Sequence, residues 1–130
     1  ISIIDGNEKV QEFNLHRLLM EVQDLSISGD WLIMAPTNKT VEHISRLFYK
    51  NSISHYAKNE PITLKNEKSV TRTIRVQTIH TSKGAEAINV AIVIMSKGDI
   101  FMYFENGEES ARLSYVAESR QKNRLYKIGL

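Results

Sequence analysis

Apolar positions along the chain follow two rhythms, a period near 3.6 and short unbroken runs, and together they predict alternating helices and strands. Residues 1–6 (ISIIDG) form a short apolar strand ending in an Asp-Gly turn. Leu15, Leu18, Leu19, Val22 and Leu25 then line one helical face between Glu8 and about Leu25, leaving Glu12, Arg17, Glu21 and Asp24 for solvent. Ser28-Gly29-Asp30 stops that helix. Trp31–Ala35 (WLIMA) is apolar throughout and bounded by turns, the pattern of a strand buried on both faces. Pro36-Thr37-Asn38 closes it, with Thr37 or Asn38 suited to cap a helix whose face is Val41, Ile44, Leu47 and Phe48 and which runs to about Asn51.

Residues 52–72 are polar and irregular around Pro61 and predict a loop with one weak strand near Ile62–Leu64. Alternation returns at Ile74, Val76, Thr78 and Ile79, breaks at Thr81-Ser82-Lys83-Gly84, and gives way to the apolar run Val90–Met95 (VAIVIM). A mixed, aromatic-rich segment spans Ser96–Gly107. A helix is expected from about Glu108, its acidic first turn suited to the positive end of the helix dipole. Its buried stripe is Leu113, Val116 and Ala117, with Tyr115 core or half-buried and Arg120 on the last turn. Leu125–Ile128 is a final strand. Strands and helices in this order fit an α/β domain in which helices flank a mostly parallel sheet.

Length and composition narrow the class. At 130 residues the chain is expected to be one domain, 1–130, with a core that needs no metal or bridge. No apolar run reaches the roughly 18 residues of a spanning helix and no signal-peptide pattern opens the chain, so no membrane partner is expected. Absence of cysteine excludes disulfides and thiolate metal sites, and an intracellular, cytoplasmic setting is the default expectation. His16, His43 and His55 are scattered without ligand spacing, so no metal site is expected. A net charge of +2 does not by itself demand a nucleic-acid partner. The first residue is Ile1 rather than Met, as expected of a piece of a longer protein.

Two stretches carry chemistry. The polar break between the strands ending near Ile79 and beginning at Val90 lies where α/β sheets place ligand sites, at the carboxyl ends of strands. Thr81-Ser82-Lys83-Gly84 supplies two hydroxyls, a cation and a glycine that lets backbone approach closely, which are the parts of an anion site. By itself such a triplet is also common in plain surface loops. Glu86 can accept from a sugar hydroxyl or be a solvated carboxylate. The second stretch ends in Arg120, which is either a surface arginine or a bidentate phosphate contact. No G-x-x-x-x-G-K-[ST] loop occurs, so the chain lacks its own phosphate cradle.

Taken together, TIHTSKGAEAINVAIVI and the later ESARLSYVAESRQKNRLY resemble the fifth and sixth motifs of UvrD/Rep-like superfamily 1 DNA helicases. Thr78, Ile79, His80, Ser82, Lys83, Gly84 and Glu86 match the first motif. Arg112, Leu113, Tyr115, Val116, Ala117, Arg120 and Leu125 match the second. A weaker likeness covers WLIMAPTNKTVEHISRLF. The resemblance implies the second RecA-like motor domain of an ATP-driven translocase. It implies a P-loop-NTPase-type parallel sheet without a Walker A loop of its own. Carried over by position, Arg120 is the catalytic arginine finger that meets the γ-phosphate of ATP. Gly84 and Glu86 help to hold the nucleotide. By the same resemblance Thr78, His80 and Ser82 contact single-stranded DNA or couple it to the ATP site, and Thr37 and Asn38 are candidate contacts to the DNA backbone.

The resemblance further implies that Mg²⁺ ligands and the phosphate loop come from an N-terminal RecA-like partner domain of the same parent chain, without which this piece is inactive. The sequence departs from the family pattern at Ala87, Ser119, Gln121, Thr40 and Glu42. The short gap before the fifth motif leaves no room for a large inserted accessory domain. Those departures keep a second reading open: a degenerate helicase-like module that binds nucleic acid or protein without ATP turnover. A helicase domain within a helicase–nuclease is a third.

Overall fold

The computed structural model describes residues 2–4, 8–24, 29–57, 60–62, 73–82 and 87–129. In chain order the elements are β1 (Ser2–Ile4), α1 (Glu8–Gln23), β2 (Trp31–Ala35), α2 (Asn38–Lys50), β3 (His55–Ala57), β4 (Glu60–Ile62) and β5 (Ile74–Thr78). There follow a 3₁₀ turn (His80–Ser82), β6 (Ala87–Ile94), α3 (Lys97–Ile100), a π-helical turn (Phe101–Glu105), α4 (Gly107–Glu118) and β7 (Gln121–Gly129).

The described strands form one seven-stranded sheet in the order β1-β7-β6-β2-β5-β3-β4. Every neighbouring pair is parallel except β3 and β4, the outermost pair on one side. β2 sits at the middle, with Ala35 level with Thr78 of β5 and Met34 level with Ile92 of β6. Its five side chains are all fully buried because helices cover both faces of the sheet, as its unbroken apolar run predicts.

Alternation along β2 divides the core. Trp31, Ile33 and Ala35 face α1 and α2, meeting Leu18, Val22, Val41, Ile44 and Phe48. Leu32 and Met34 face the other side, with Val90, Ile92 and Ile94 of β6, where Leu113 and Ala117 of α4 and Tyr103 of the π-helical turn cover them. Trp31 also packs its ring on Tyr126 of β7, centroids 5.3 Å apart. This is the expected α/β fold with a parallel, helix-flanked sheet. Among the described residues no helix is long and apolar enough to cross a membrane.

Several boundaries differ from those predicted. The helix expected to reach Leu25 ends at Gln23 as described, and Leu25 lies outside the described residues. The stretch read as a loop contains β3 as well as β4. The weak strand falls at Glu60–Ile62 around Pro61 rather than at 62–64, of which 63–64 lie outside the described residues. β6 begins at Ala87, three residues early, and β7 at Gln121. The aromatic segment after β6 is helical. Ser96 and Asp99 form a reciprocal capping box that starts α3, and the π-helical turn continues it. Ser110 holds that turn by donating to the Met102 carbonyl (2.8 Å) and accepting from the Asn106 N–H (2.7 Å).

Candidate functional site

Parallel strands deliver their carboxyl ends to one edge of the sheet, and most of the singled-out residues arrive there. β2 ends at Ala35, so Thr37 and Asn38 open α2 at this edge; β5 ends beside it at Thr78, followed by His80. Thr78 is buried and built into its own turn. Its hydroxyl lies 3.0 Å from that of Thr81, and the Thr81 hydroxyl donates to the Thr78 carbonyl at 3.0 Å. That turn leaves His80 exposed. Lys83, Gly84 and Glu86 lie outside the described residues, as does the side chain of Ser82.

Thr37 occupies the N-cap position of α2 with extended backbone, but its side chain caps nothing. Its hydroxyl donates instead to Asp99 Oδ1 at 2.7 Å. Asp99 is fully buried and also accepts from the Thr40 hydroxyl and from the backbone N–H groups of Met95 (3.0 Å) and Ser96 (3.1 Å). One carboxylate thereby ties the start of α2 to the end of β6. Sequence reasoning passed over Asp99, although a Ser-x-x-Asp box directly after an apolar strand marks it.

Arg120 lies elsewhere. It stands two residues beyond α4 rather than on its last turn, at the amino end of β7, where its carbonyl accepts from the Ala87 N–H at 3.1 Å. The register between β6 and β7 slips just there: Ala87 pairs with Gln121 but Asn89 with Arg124, an irregularity of the kind that redirects side chains at functional edges. The carboxyl-edge expectation therefore describes Thr37, Asn38, Thr78 and His80, whereas Arg120 belongs to the opposite edge.

A groove of about 320 Å³ nevertheless brings His80 and Arg120 together. It is lined by Ile79 and His80 on one side and by Glu109, Arg112, Leu113, Val116 and Arg120 along α4. Arg112 is exposed and pairs with Glu109 at 3.1 Å and Glu108 at 3.9 Å, contacts worth little in stability. Arg120 differs: its Nε is buried and has no hydrogen-bond partner among the described residues. A buried guanidinium donor without an acceptor is costly to keep and calls for a reason, and an anionic ligand in the groove supplies one. Tyr115, expected in or near the core, is 75% exposed.

Two further features are structural. Lys127 pairs with Glu118, which also accepts from the Tyr103 hydroxyl at 3.4 Å. Burial, the charge of Glu118 and that hydrogen bond all push the Tyr103 phenol above its ordinary range. His55 is buried with both ring nitrogens engaged, Nδ1 with the Ile53 carbonyl (2.9 Å) and Nε2 with the Ser45 hydroxyl (2.6 Å). Among the described residues no cluster of His, Asp or Glu could hold a metal ion.

The comparisons agree with this architecture. The family model described as the UvrD-like helicase C-terminal domain matches residues 39–129, well over half of the chain. Among solved structures, the C-terminal domain of a possible DNA helicase from Lactobacillus plantarum WCFS1 has a TM-score of 0.66 at 15% identity, over 99% of this chain and 72% of that one. Identity that low speaks to the fold alone. No curated protein matches. The chain, with its helix-flanked parallel sheet, belongs to the UvrD-like helicase C-terminal domain family.

Proposed function

We propose that this domain is the second motor half of an ATP-dependent superfamily 1 DNA translocase, completed by an N-terminal RecA-like domain. In this reading Arg120 reaches the nucleotide's terminal phosphate across the cleft between the two domains. Gly84 and Glu86 border the ribose. The carboxyl edge, with Thr37, Asn38, Thr78, His80 and Ser82, faces the single strand. The phosphate loop and the Mg²⁺ ligands belong to the partner domain, so this half alone is inactive. ATP supplies the drive; what this chain adds is charge at the phosphate and a grip on the strand.

The observation that carries the reading is the buried Arg120 Nε, without a hydrogen-bond partner among the described residues, in a groove shared with His80. A planar guanidinium offers donors in a fixed fork that matches phosphate oxygens. Held in advance by the turn after α4, it meets developing negative charge without reorganising. The Thr37 hydroxyl already donates to Asp99, so towards a DNA phosphate Thr37 and Asn38 act through backbone N–H groups and the Asn38 amide. The Thr78 hydroxyl, engaged with Thr81, sets the turn that presents His80.

The test is single-strand-stimulated ATPase activity of the intact protein, wild type against Arg120→Ala. Loss of about 10³-fold in kcat with nucleotide affinity retained is expected of an arginine finger. An active protein indifferent to the substitution would refute the assignment. An intact protein with no ATPase at all would point instead to a degenerate binding module.

A further inference from the structure

A second hollow, of about 170 Å³, opens at the carboxyl edge between α2 and the end of β6. Its lining is Lys39, Thr40, His43, Arg46, Met95 and Ser96. Lys39, His43 and Arg46 stand at i, i+4 and i+7 on α2, hence on one face, and Lys50 at i+11 extends the row. All four are exposed. With a rise of 1.5 Å per residue the row is about 16 Å long. Among the described residues no carboxylate lines the hollow. Glu42 flanks the row on the helix surface without lining the cavity, and Asp99 behind it is buried and occupied by four donors. Glu42, three residues after Lys39 and four before Arg46, interleaves with the row and offsets part of its charge, but the hollow itself gathers three bases, an arrangement suited to an anion from outside the helix.

The position says what that is. β2 lies between β6 and β5 in the sheet, so the ends of all three strands stand side by side on one edge. A polyanion crossing that edge from His80 passes Asn38 and meets Lys39, then His43 and Arg46. Ser96 Oγ accepts from the Asp99 N–H at 3.0 Å, which leaves its own proton to donate into the hollow. We propose that the Lys39–His43–Arg46 row is a second line of phosphate contacts for single-stranded DNA, extending the track beyond the Thr78–His80 edge. The inference rests on the reading of that edge as the strand-binding face. Contacts of this kind hold the backbone without reading its sequence.

The test uses the intact protein and a fluorescently labelled oligothymidylate, with affinity measured from 50 to 200 mM salt. The variants are Lys39→Ala/Arg46→Ala, His80→Ala, and Arg17→Ala as a control for an exposed charge on α1. Loss of two phosphate contacts lowers the slope of log affinity against log salt by about 1.4. That drop in the double variant, with Arg17→Ala unchanged, is the expected result. If His80→Ala weakens binding while the double variant keeps the wild-type slope, the row is no part of the track and the inference fails alone. If wild-type protein does not bind the oligonucleotide, the strand-binding reading fails and takes this inference with it.

Discussion

Asp99 does more to fix the carboxyl edge than any residue chosen for its chemistry. Its two oxygens, themselves out of contact with water, gather donors from the start of α2 and from the chain between β6 and α3. Asp99→Ala strands those donors and should cost about 3 kcal/mol, since each buried donor left unsatisfied costs about 1–3 kcal/mol and hydroxyls can turn away. Asp99→Asn, isosteric but bringing an N–H₂ group against donors, should fall between. Denaturant midpoints measure both, and an alanine variant as stable as wild type would contradict the clamp.

His55 offers a second residue-scale prediction. Burial lowers its pKa, and the hydrogen bond to the Ile53 carbonyl opposes this only in part. As pH falls, the unfolded chain takes up the proton first, near 6.5. Stability is therefore full above that pH, declines below it by up to about 1.4 kcal/mol per pH unit, and levels off below the folded-state pKa. Unfolding free energies of wild type and His55→Gln between pH 8 and 4.5 should differ by that sloping term. A pH-independent difference would mean the ring is not held neutral.

At the scale of elements, two glycines separate backbone strain from crowding. Gly29, entering β2, has φ +99°, and a Cβ there would lie 2.8 Å from Ile88 Cβ, so both effects act. Gly107, at the start of α4, has φ +56° but open space around it. Gly107→Ala should cost about 1 kcal/mol from the left-handed backbone alone, and Gly29→Ala distinctly more. Equal losses in thermal or chemical denaturation would disprove the distinction.

The elements that were legible are those whose own sequence decides them: WLIMA and VAIVIM as doubly covered strands, and α2 from its apolar face. β3 was not legible, because its three residues become a strand by lying between the short, proline-containing β4 and Arg75 and Val76, the latter far away in the chain. The π-helical turn was hidden for a similar reason, since Ser110 secures it from the next helix. Tyr115 misled because it sits two residues from both Leu113 and Ala117, about 200° around the helix from each, and so faces solvent. His80 could be singled out in the sequence by motif, but its meeting with Arg120 depends on how α4 crosses the sheet, which no local pattern records.

Across the whole molecule, the proposed strand contacts at Thr37, Asn38 and Thr78 and the proposed phosphate contact at Arg120 stand at opposite edges of one sheet, with the groove along α4 running between them. β6 alone spans about 23 Å between them at the usual rise per residue. A core of fully buried strands suits a body that moves as a unit, as the proposed closure on a partner domain requires. Hydrogen exchange should report this: amides of β2 and β6 should exchange only through global unfolding, with β3 and β4 opening earlier. Early exchange in β2 would argue against a rigid unit. The outer strand β4 carries one more consequence. Pro61 has no N–H, so the last described strand on that side offers a broken row of donors to an added chain. That side of the described sheet is thereby a poor template for strand-by-strand addition of a second copy.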